Sequence, residues 1–573
     1  MQTKLVNENF QTDYIDNLLL ARGVKDLDEF KNPTEKSLQS YNDLDNVSRG
    51  FELIKEVIDD KKKVLIIVDS DIDGFTSAAI AYQYLYNFGI KANYFLHSGK
   101  QHGLDDCIDW IIDNKTFYDV VWLPDAGTND MESHRKLKEL GIKVLLTDHH
   151  DRNEETVIED NVILINNQTS DKYRNKELTG AGVTWQFCKY CDEQFGTDFA
   201  DKLIDLAALG ITGDMGSVLE LENRYIIKTG FENIQNYYFK VLCNKQSYSM
   251  GGKINPTTVA FYIVPLINAM IRVGTPEEKE RVFISFVDGH RMITSHKRGA
   301  NGALEEVAVE SARECTNARA RQNRILEKAQ DQIEIKIFNN NLLDNKILFI
   351  RLDEEDFPPE LNGLLAMRFC AKYKKPTIVA RLNSKGEDKG SLRGINDSEL
   401  TDFKQFLLDS NYCEYVAGHP NASGVGIEDN KVSSLINYAN EKLKNIDFGE
   451  KWHEVNFKRD AYDDDISNIV KEVGAHPEYW GQHNQEPKIE IDNIHIRRED
   501  ITLMGKNKDT VKIISNGMTY IKFKAQDFID NLSKYEKMSI NIVGRANLNS
   551  WMGGITPQIF VDDYAISDLR FSF

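Results

Sequence analysis

The stretch VLIIVDSDIDGFTS, residues 64–77, decides the fold. Val64–Val68 is an unbroken apolar run, which reads as a strand buried on both faces. It stops at three carboxylates in alternate positions, Asp69, Asp71 and Asp73. The residues after Gly74, TSAAIAYQYLYNFG, read as a helix closed by Gly89. The acids therefore sit on a strand-to-helix turn. A calcium loop of the helix–loop–helix type also begins D-x-D-x-D-G, but it needs a bidentate Glu at its twelfth position and a helix on either side. Counted from Asp69, the twelfth residue is Ile80, and a strand precedes the acids, so that reading fails.

The same grammar repeats downstream. Ala92–Leu96 is a second strand. Val120–Leu123 ends in PDAGTND, Val144–Thr147 in DHHD, and Val162–Ile165 in NNQTS. Strands alternating with helices predict a mostly parallel sheet covered by helices. Ligands of such sheets bind outside the carboxyl ends of the strands. Three of those ends here carry acids or histidines: Asp69/Asp71/Asp73, Asp125, and Asp148/His149/His150. A further acid, Asp214, closes the helical segment DLAALGITGDMGSV. One aspartate at a strand end is ordinarily a turn former or helix cap. One histidine pair is ordinarily solvated or bonded in the core. Four such motifs at successive edges are not explained by caps.

Crowded carboxylates repel one another unless cations neutralise them. Aspartate is a hard ligand for Mg²⁺ or Mn²⁺, and imidazole shifts the preference toward Mn²⁺. Several aspartates with one or two histidines suggest two cations sharing a carboxylate. Two metals about 3.5–4 Å apart can bind a phosphate oxygen, activate water and stabilise the leaving oxygen. The reaction class this implies is phosphoester or phosphoanhydride hydrolysis.

A chain of 573 residues has room for several domains and sizeable cores. We find no apolar run long enough to span a bilayer and no secretory signal, so a cytoplasmic protein without membrane contact is expected. The net charge of −20 argues against a broad nucleic-acid-binding surface, but not against a local basic channel or metal-mediated handling of phosphate. The seven cysteines form no disulfide framework. Cys188 and Cys191 make a C-x-x-C with no second pair at zinc-site spacing, inside an amphipathic helix, and are read as packing residues. Residues 303–332 read as one long polar helix, a spacer between lobes. A second α/β region follows over 333–447 with KILFIRL, LLAMRFCAKY, KPTIVARL, GSLRGI and AGHPNASGVGI. Short alternating segments from 448 to 573 read as a small β-barrel or sandwich.

DSDIDGFTS, PDAGT, TDHHD and GITGDMG, in that order, resemble the four metal-binding motifs of the DHH phosphoesterases, a family named for the residues that stand here as Asp148-His149-His150. LLLARGV, LTGAGV, ENR and PLINAMIRVG resemble the RecJ exonucleases within that family. AGHPNASG resembles the GGH motif of the associated DHHA1 domain. YWGQHNQEP and NSWMGGITPQIFVDD resemble the RecJ OB-type domain. Sequence drift points to a distant or phage-borne member.

The resemblance implies a DHH catalytic domain with an N-terminal extension over 1–302, a connecting helix over 303–332, a DHHA1 domain over 333–447 and an OB-like domain over 448–573. It implies a 5′-to-3′ exonuclease that degrades single-stranded DNA to mononucleotides in repair and recombination, using two Mn²⁺ or Mg²⁺ ions. Asp69, Asp71 and Asp125 would hold one ion. Asp73, His149 and Asp214, with Asp125 bridging, would hold the other. Asp148 would orient the histidines, and His150 would contact the scissile phosphate. Arg272 would bind the DNA end, Asn268 would support its loop, and Arg393 with His419 would grip substrate from the second lobe. Trp480, Phe523 and Trp551 are stacking candidates, set against core packing, the commoner fate of aromatics in a small barrel. Single-stranded DNA, a single-strand-binding protein and a helicase are the implied partners of a monomer.

The sequence departs from the family pattern in HSGKQHGL. His97 stands where Arg is expected and His102 for a Tyr, with Lys100 as a candidate replacement charge. Ala417 replaces the first Gly of GGH, and AAG has become Ala422-Ser423-Gly424. None of these changes removes an expected metal ligand. Two other readings compete. One is a DHH phosphodiesterase acting on short oligonucleotides, cyclic dinucleotides or pyrophosphate. The other is a non-catalytic scaffold that binds DNA ends.

Overall fold

In a computed structural model of the chain, Val64–Val68 is a strand (β1) with every residue buried, as an unbroken apolar run requires. The structure describes residues 1–98, 101–352, 357–396, 398–448, 452–532, 535–551 and 554–568. Helix α1 (Ile72–Asn87) starts directly after the acidic turn, capped by Asp71, whose Oδ1 accepts the Gly74 N–H at 3.0 Å. Strands β2 (Asn93–Leu96), β3 (Val120–Pro124), β4 (Lys143–Asp148) and β5 (Val162–Asn166) complete an all-parallel sheet in the order β2-β1-β3-β4-β5.

Alternate side chains of β1 serve opposite faces. Val64, Ile66 and Val68 join Trp122 and Leu145 in the core shared with α1, α4 (Gly180–Phe195) and α5 (Ile204–Gly213). Leu65 and Ile67 join Val121, Leu123 and Leu146 against α2 (Ile108–Asp113) and α3 (Met131–Glu139). The strand order reverses direction between β1 and β3, so the crevice at their carboxyl ends is the topological switch point where such sheets bind ligands. Asp69–Asp73 leave β1 and Asp125 leaves β3 at that crevice.

The chain divides into two compact units. One comprises residues 24–322 with 478–485, and the other 1–23, 323–477 and 486–573. This differs in three places from the linear order of domains. Residues 1–23 group with the C-terminal part of the chain, because Gln2–Leu5 pairs in parallel with Trp452–Val455 and Arg459 donates to Asn9 Oδ1 and Phe10 O. The long helix runs from Val307 to Asn339 rather than over 303–332, since Leu304–Glu306 pairs with Met292–Thr294 as a short antiparallel ribbon.

The third difference is that residues 478–485 belong to the first unit. The Arg224 guanidinium lies 4.0 Å from the Phe30 ring centroid and 4.7 Å from that of Tyr479, and donates to Glu478 O at 3.1 Å. The Val218 N–H donates to Gln482 O at 3.1 Å, and Thr257 Oγ1 donates to Trp480 O at 3.2 Å. Trp480 is 2 % exposed and stacks edge-on with Tyr479, so it is a core residue and not a stacking platform for bases. Sequence-local reading misses this segment because its partners lie more than 200 residues away.

The second unit carries a five-stranded mixed sheet in the order Cys413–His419, Ala422–Glu428, Glu387–Arg393, Thr377–Leu382, Leu348–Leu352. It also carries a seven-stranded sheet built from residues 457–568. The two longest strands of that sheet, Lys537–Trp551 and Gly554–Asp568, form an antiparallel pair. In the first unit, Pro256–Val273 is apolar and long enough to cross a bilayer, contrary to the expectation from sequence. It is broken at Ile263 into α6 (Pro256–Tyr262) and α7 (Val264–Val273), and half of it is buried in the protein.

His134 on α3 is fully buried, and neither ring nitrogen has a hydrogen-bond partner among the described residues. Burial lowers its pKa from 6.5 to about 4. The neutral ring is favoured in the folded state, so its contribution is intact above pH 6.5 and is lost as pH falls through 4. At about 1.4 kcal/mol per pH unit, the loss is about 3 kcal/mol. His134→Leu should therefore lose less stability than the parent between pH 7 and pH 4, read as thermal midpoints. Equal losses would contradict this assignment.

Candidate metal centre

Four short segments deliver the site. Asp69 follows β1 and is 3 % exposed; its Oδ1 accepts the Gly103 N–H at 3.3 Å and lies 2.6 Å from His102 Nδ1. Asp71 caps α1. Asp73 lies in the first turn of α1, where its Oδ1 accepts from Thr179 Oγ1 at 2.9 Å and from the Ala181 N–H at 3.1 Å. Asp125 follows β3 in the left-handed region, at φ 70°, and its N–H donates to Thr147 O at 2.8 Å. That bond continues the β3–β4 ladder past the strand and turns the side chain into the crevice. A Cβ on Gly180, at the start of α4, would lie 2.4 Å from Asp125 Cβ, so only glycine lets that helix approach.

Asp148 ends β4, fully buried. Its Oδ1 accepts the N–H groups of His149 and His150 at 2.7 and 3.2 Å and contacts His150 Nδ1 at 2.7 Å. Its Oδ2 accepts from the Thr128 N–H and hydroxyl at 3.0 and 2.5 Å, and Thr128 Oγ1 in turn accepts from Asn166 Nδ2. The carboxylate is thus fully used in orienting the turn. His149 Nε2 stands 3.1 Å from Asp125 Oδ1 and 3.5 Å from Asp214 Oδ2, which caps the end of α5.

The result is a set of overlapping clusters. Asp69, Asp71 and Asp125 each offer a ligand atom within 4.8 Å of the others. So do Asp73, His149 and Asp214, and so do Asp125, His149 and His150. Asp73 Oδ2 and Asp125 Oδ1 are buried without a hydrogen-bond partner among the described residues. Buried oxygens in that state are costly unless something else satisfies them.

The electrostatics point the same way. Burial, then Asp73, Asp71 and Asp69, push the Asp125 carboxyl well above the ordinary range. Burial and Asp71 raise Asp73 to about 7, and burial with Asp73 and Asp71 raises Asp214 to about 8. Burial followed by repulsion from His150 lowers His149 to about 4, leaving a neutral imidazole able to ligate. For His150, burial is outweighed by Asp148, and its pKa rises to about 10. Burial also opposes ionisation of Asp148, but His150, His149 and Thr128 hold it well below the usual range. Hard oxygen donors, one neutral imidazole and unrelieved carboxylate repulsion fit divalent cations such as Mn²⁺ or Mg²⁺.

The other candidate residues are dispersed. Asn268 and Arg272 lie one turn apart on α7, which packs against α1 and α5. Lys100 lies outside the described residues, as does the side chain of Trp551. His97 is 5 % exposed, and burial lowers its pKa, so it does not replace an arginine's charge. Arg393 and His419 end two strands of the second unit. Arg393 Nη1 donates to Leu392 O at 2.6 Å, and His419 is exposed. Phe523, also in that unit, is 55 % exposed. Sequence reading gave no role to Thr128, Thr179 or Asn166, since single hydroxyls and amides in turns carry no distinguishing pattern.

Asp125→Asn keeps a residue that tolerates positive φ while weakening the shared ligand. For the parent, Mn²⁺ at 100 times its dissociation constant should add about 2.7 kcal/mol of stability. The variant should lose most of that gain in thermal midpoint with an unchanged circular dichroism spectrum. A gain equal to the parent's would contradict a ligand shared between the clusters.

A model of the DHH family N-terminal domain matches residues 63–211, and a model of the RecJ OB domain matches residues 464–563. The chain is 33% identical over 569 residues to a putative SPbeta prophage-derived single-strand DNA-specific exonuclease, YorK, of Bacillus subtilis (strain 168), covering 98% of this chain and 97% of that protein. It is 24% identical to the single-stranded-DNA-specific exonuclease RecJ of the same strain, covering 97% of this chain and 68% of that one. The crystal structure of RecJ in complex with Mn²⁺ from Thermus thermophilus superposes with a TM-score of 0.71 at 19% identity, covering 94% of this chain and 74% of that chain.

Proposed function

The chain belongs to the RecJ-like family of the DHH/DHHA1 superfamily, and from that membership we propose that it is a metal-dependent exonuclease that degrades single-stranded DNA from the 5′ end to mononucleotides. The observation that carries the reading is the convergence of acids from β1, β3 and α5 with His149: Asp69, Asp71 and Asp125 form one group, Asp73, His149 and Asp214 another, and Asp125 also groups with His149 and His150. Asp69, Asp71 and Asp125 would hold one divalent cation. Asp73, His149 and Asp214, sharing Asp125, would hold a second. Such a pair supplies Lewis-acid activation of water and of the phosphate.

The protein's own groups do the positioning. Asp148 holds the His150 ring through Nδ1 and favours its cationic form, and His150 would contact a phosphate oxygen. Asn268 and Arg272, on one face of α7, would hold the strand end. In the second unit, taken by itself, Arg393, His419 and the exposed ring of Phe523 would bind single-stranded DNA, with stacking on Phe523 indifferent to base identity. The phage-derived relative supports a phage-borne origin.

Single strands labelled at the 5′ or the 3′ end, incubated with Mn²⁺ or with chelator, test the reading. Expected is immediate release of labelled mononucleotide from the 5′ end, with the 3′ label kept on ever shorter strands and no product under chelation. Survival of long strands while dinucleotides are cut would overturn the substrate. No cleavage with any divalent metal would overturn the enzyme.

A further inference from the structure

The loop between β2 and α2 carries a residue that the metal clusters do not include. His102 Nδ1 lies 2.6 Å from Asp69 Oδ1. The Gly103 N–H reaches the same oxygen at 3.3 Å, and no other hydrogen bond to the Asp69 side chain is found among the described residues. Both donors therefore fall on one oxygen of a nearly buried carboxylate that belongs to the cluster with Asp71 and Asp125.

The loop is built to hold this contact. The His102 N–H donates to Asp106 Oδ2 at 2.9 Å, and the Leu104 N–H donates to Asp130 Oδ2 at 2.6 Å. Gly103 has φ +60°, and a Cβ there would lie 2.3 Å from Asp130 Oδ2, so the turn both needs positive φ and excludes a side chain. The far edge of the His102 ring is open, with the side chain 58% exposed, and the ring stands edge-on to His150 with centroids 5.7 Å apart. His102 thus spans from the Asp69 carboxylate to the ring of His150.

We propose that His102 is a positioning residue for the cation that Asp69, Asp71 and Asp125 would hold: its Nδ1–H pins Asp69 Oδ1 and so fixes the orientation of that carboxylate. The proposal rests on the metal-dependent reading given above. Donors that fix a ligating carboxylate set metal affinity without touching the metal, and their loss typically weakens binding about 10- to 100-fold. With His102 gone, only the long Gly103 contact would restrain the Asp69 carboxylate.

The test is calorimetric titration of the metal-free full chain with MnCl₂, on the parent, His102→Leu and His102→Asn, with the activity's dependence on Mn²⁺ concentration as a second readout. The asparagine amide nitrogen stands close to where imidazole Nδ1 stood, and leucine offers no donor. Expected are two binding events in the parent, one of them weakened at least about tenfold in His102→Leu and largely restored in His102→Asn. The Mn²⁺ concentration for half-maximal rate should shift in the same order. Equal Mn²⁺ affinity in all three proteins would overturn the role of His102 while leaving the metal reading intact. A parent that binds no Mn²⁺ would overturn the metal reading itself.

Discussion

Carboxylate repulsion at one end of a parallel sheet is the constraint on which the rest of this structure depends. Asp69, Asp71, Asp73, Asp125 and Asp214 share a crevice in which burial already disfavours ionisation of Asp71, Asp73, Asp125 and Asp214. The fold is organised to keep them there. Gly180 lets α4 press against Asp125, Thr179 and Ala181 hold Asp73, and the β4 end spends a whole buried carboxylate, Asp148, on setting the histidine turn. At neutral pH cations between the acids relieve this repulsion, and two buried oxygens of the set, Asp73 Oδ2 and Asp125 Oδ1, have no hydrogen-bond partner among the described residues.

The two adjacent histidines show how the same sheet edge makes opposite chemistries. His149 reaches toward Asp125 and Asp214, and burial lowers its pKa to about 4, favouring the neutral form that ligation requires. His150 turns its Nδ1 onto Asp148, which raises its pKa to about 10 and favours the charged form. The difference comes from which ring reaches Asp148.

What the sequence revealed and what it concealed divide along physical lines. The buried strands of the parallel sheet announce themselves as short apolar runs, and the acids at their ends mark the switch point. The convergence of these acids and histidines could be anticipated, because each sits at a strand or helix end, whereas their division into Asp69–Asp71–Asp125 and Asp73–His149–Asp214 was implied only by the family resemblance. Contacts between distant segments could not. The pairing of Gln2–Leu5 with Trp452–Val455, and the insertion of residues 478–485 beside Arg224, leave no periodic trace in either partner. Trp480 looked like a stacking surface because exposure cannot be read from an isolated aromatic. His102 looked like a lost tyrosine, and only the fold brings it to Asp69.

The most direct test of the two-cluster metal centre is anomalous diffraction at the manganese edge from crystals of the protein grown with Mn²⁺. Expected are two peaks about 3.5–4 Å apart, one bounded by Asp69, Asp71 and Asp125 and the other by Asp73, His149 and Asp214, with Asp125 between them. Absence of manganese from this crevice, with the carboxylates instead paired by protein cations, would contradict it.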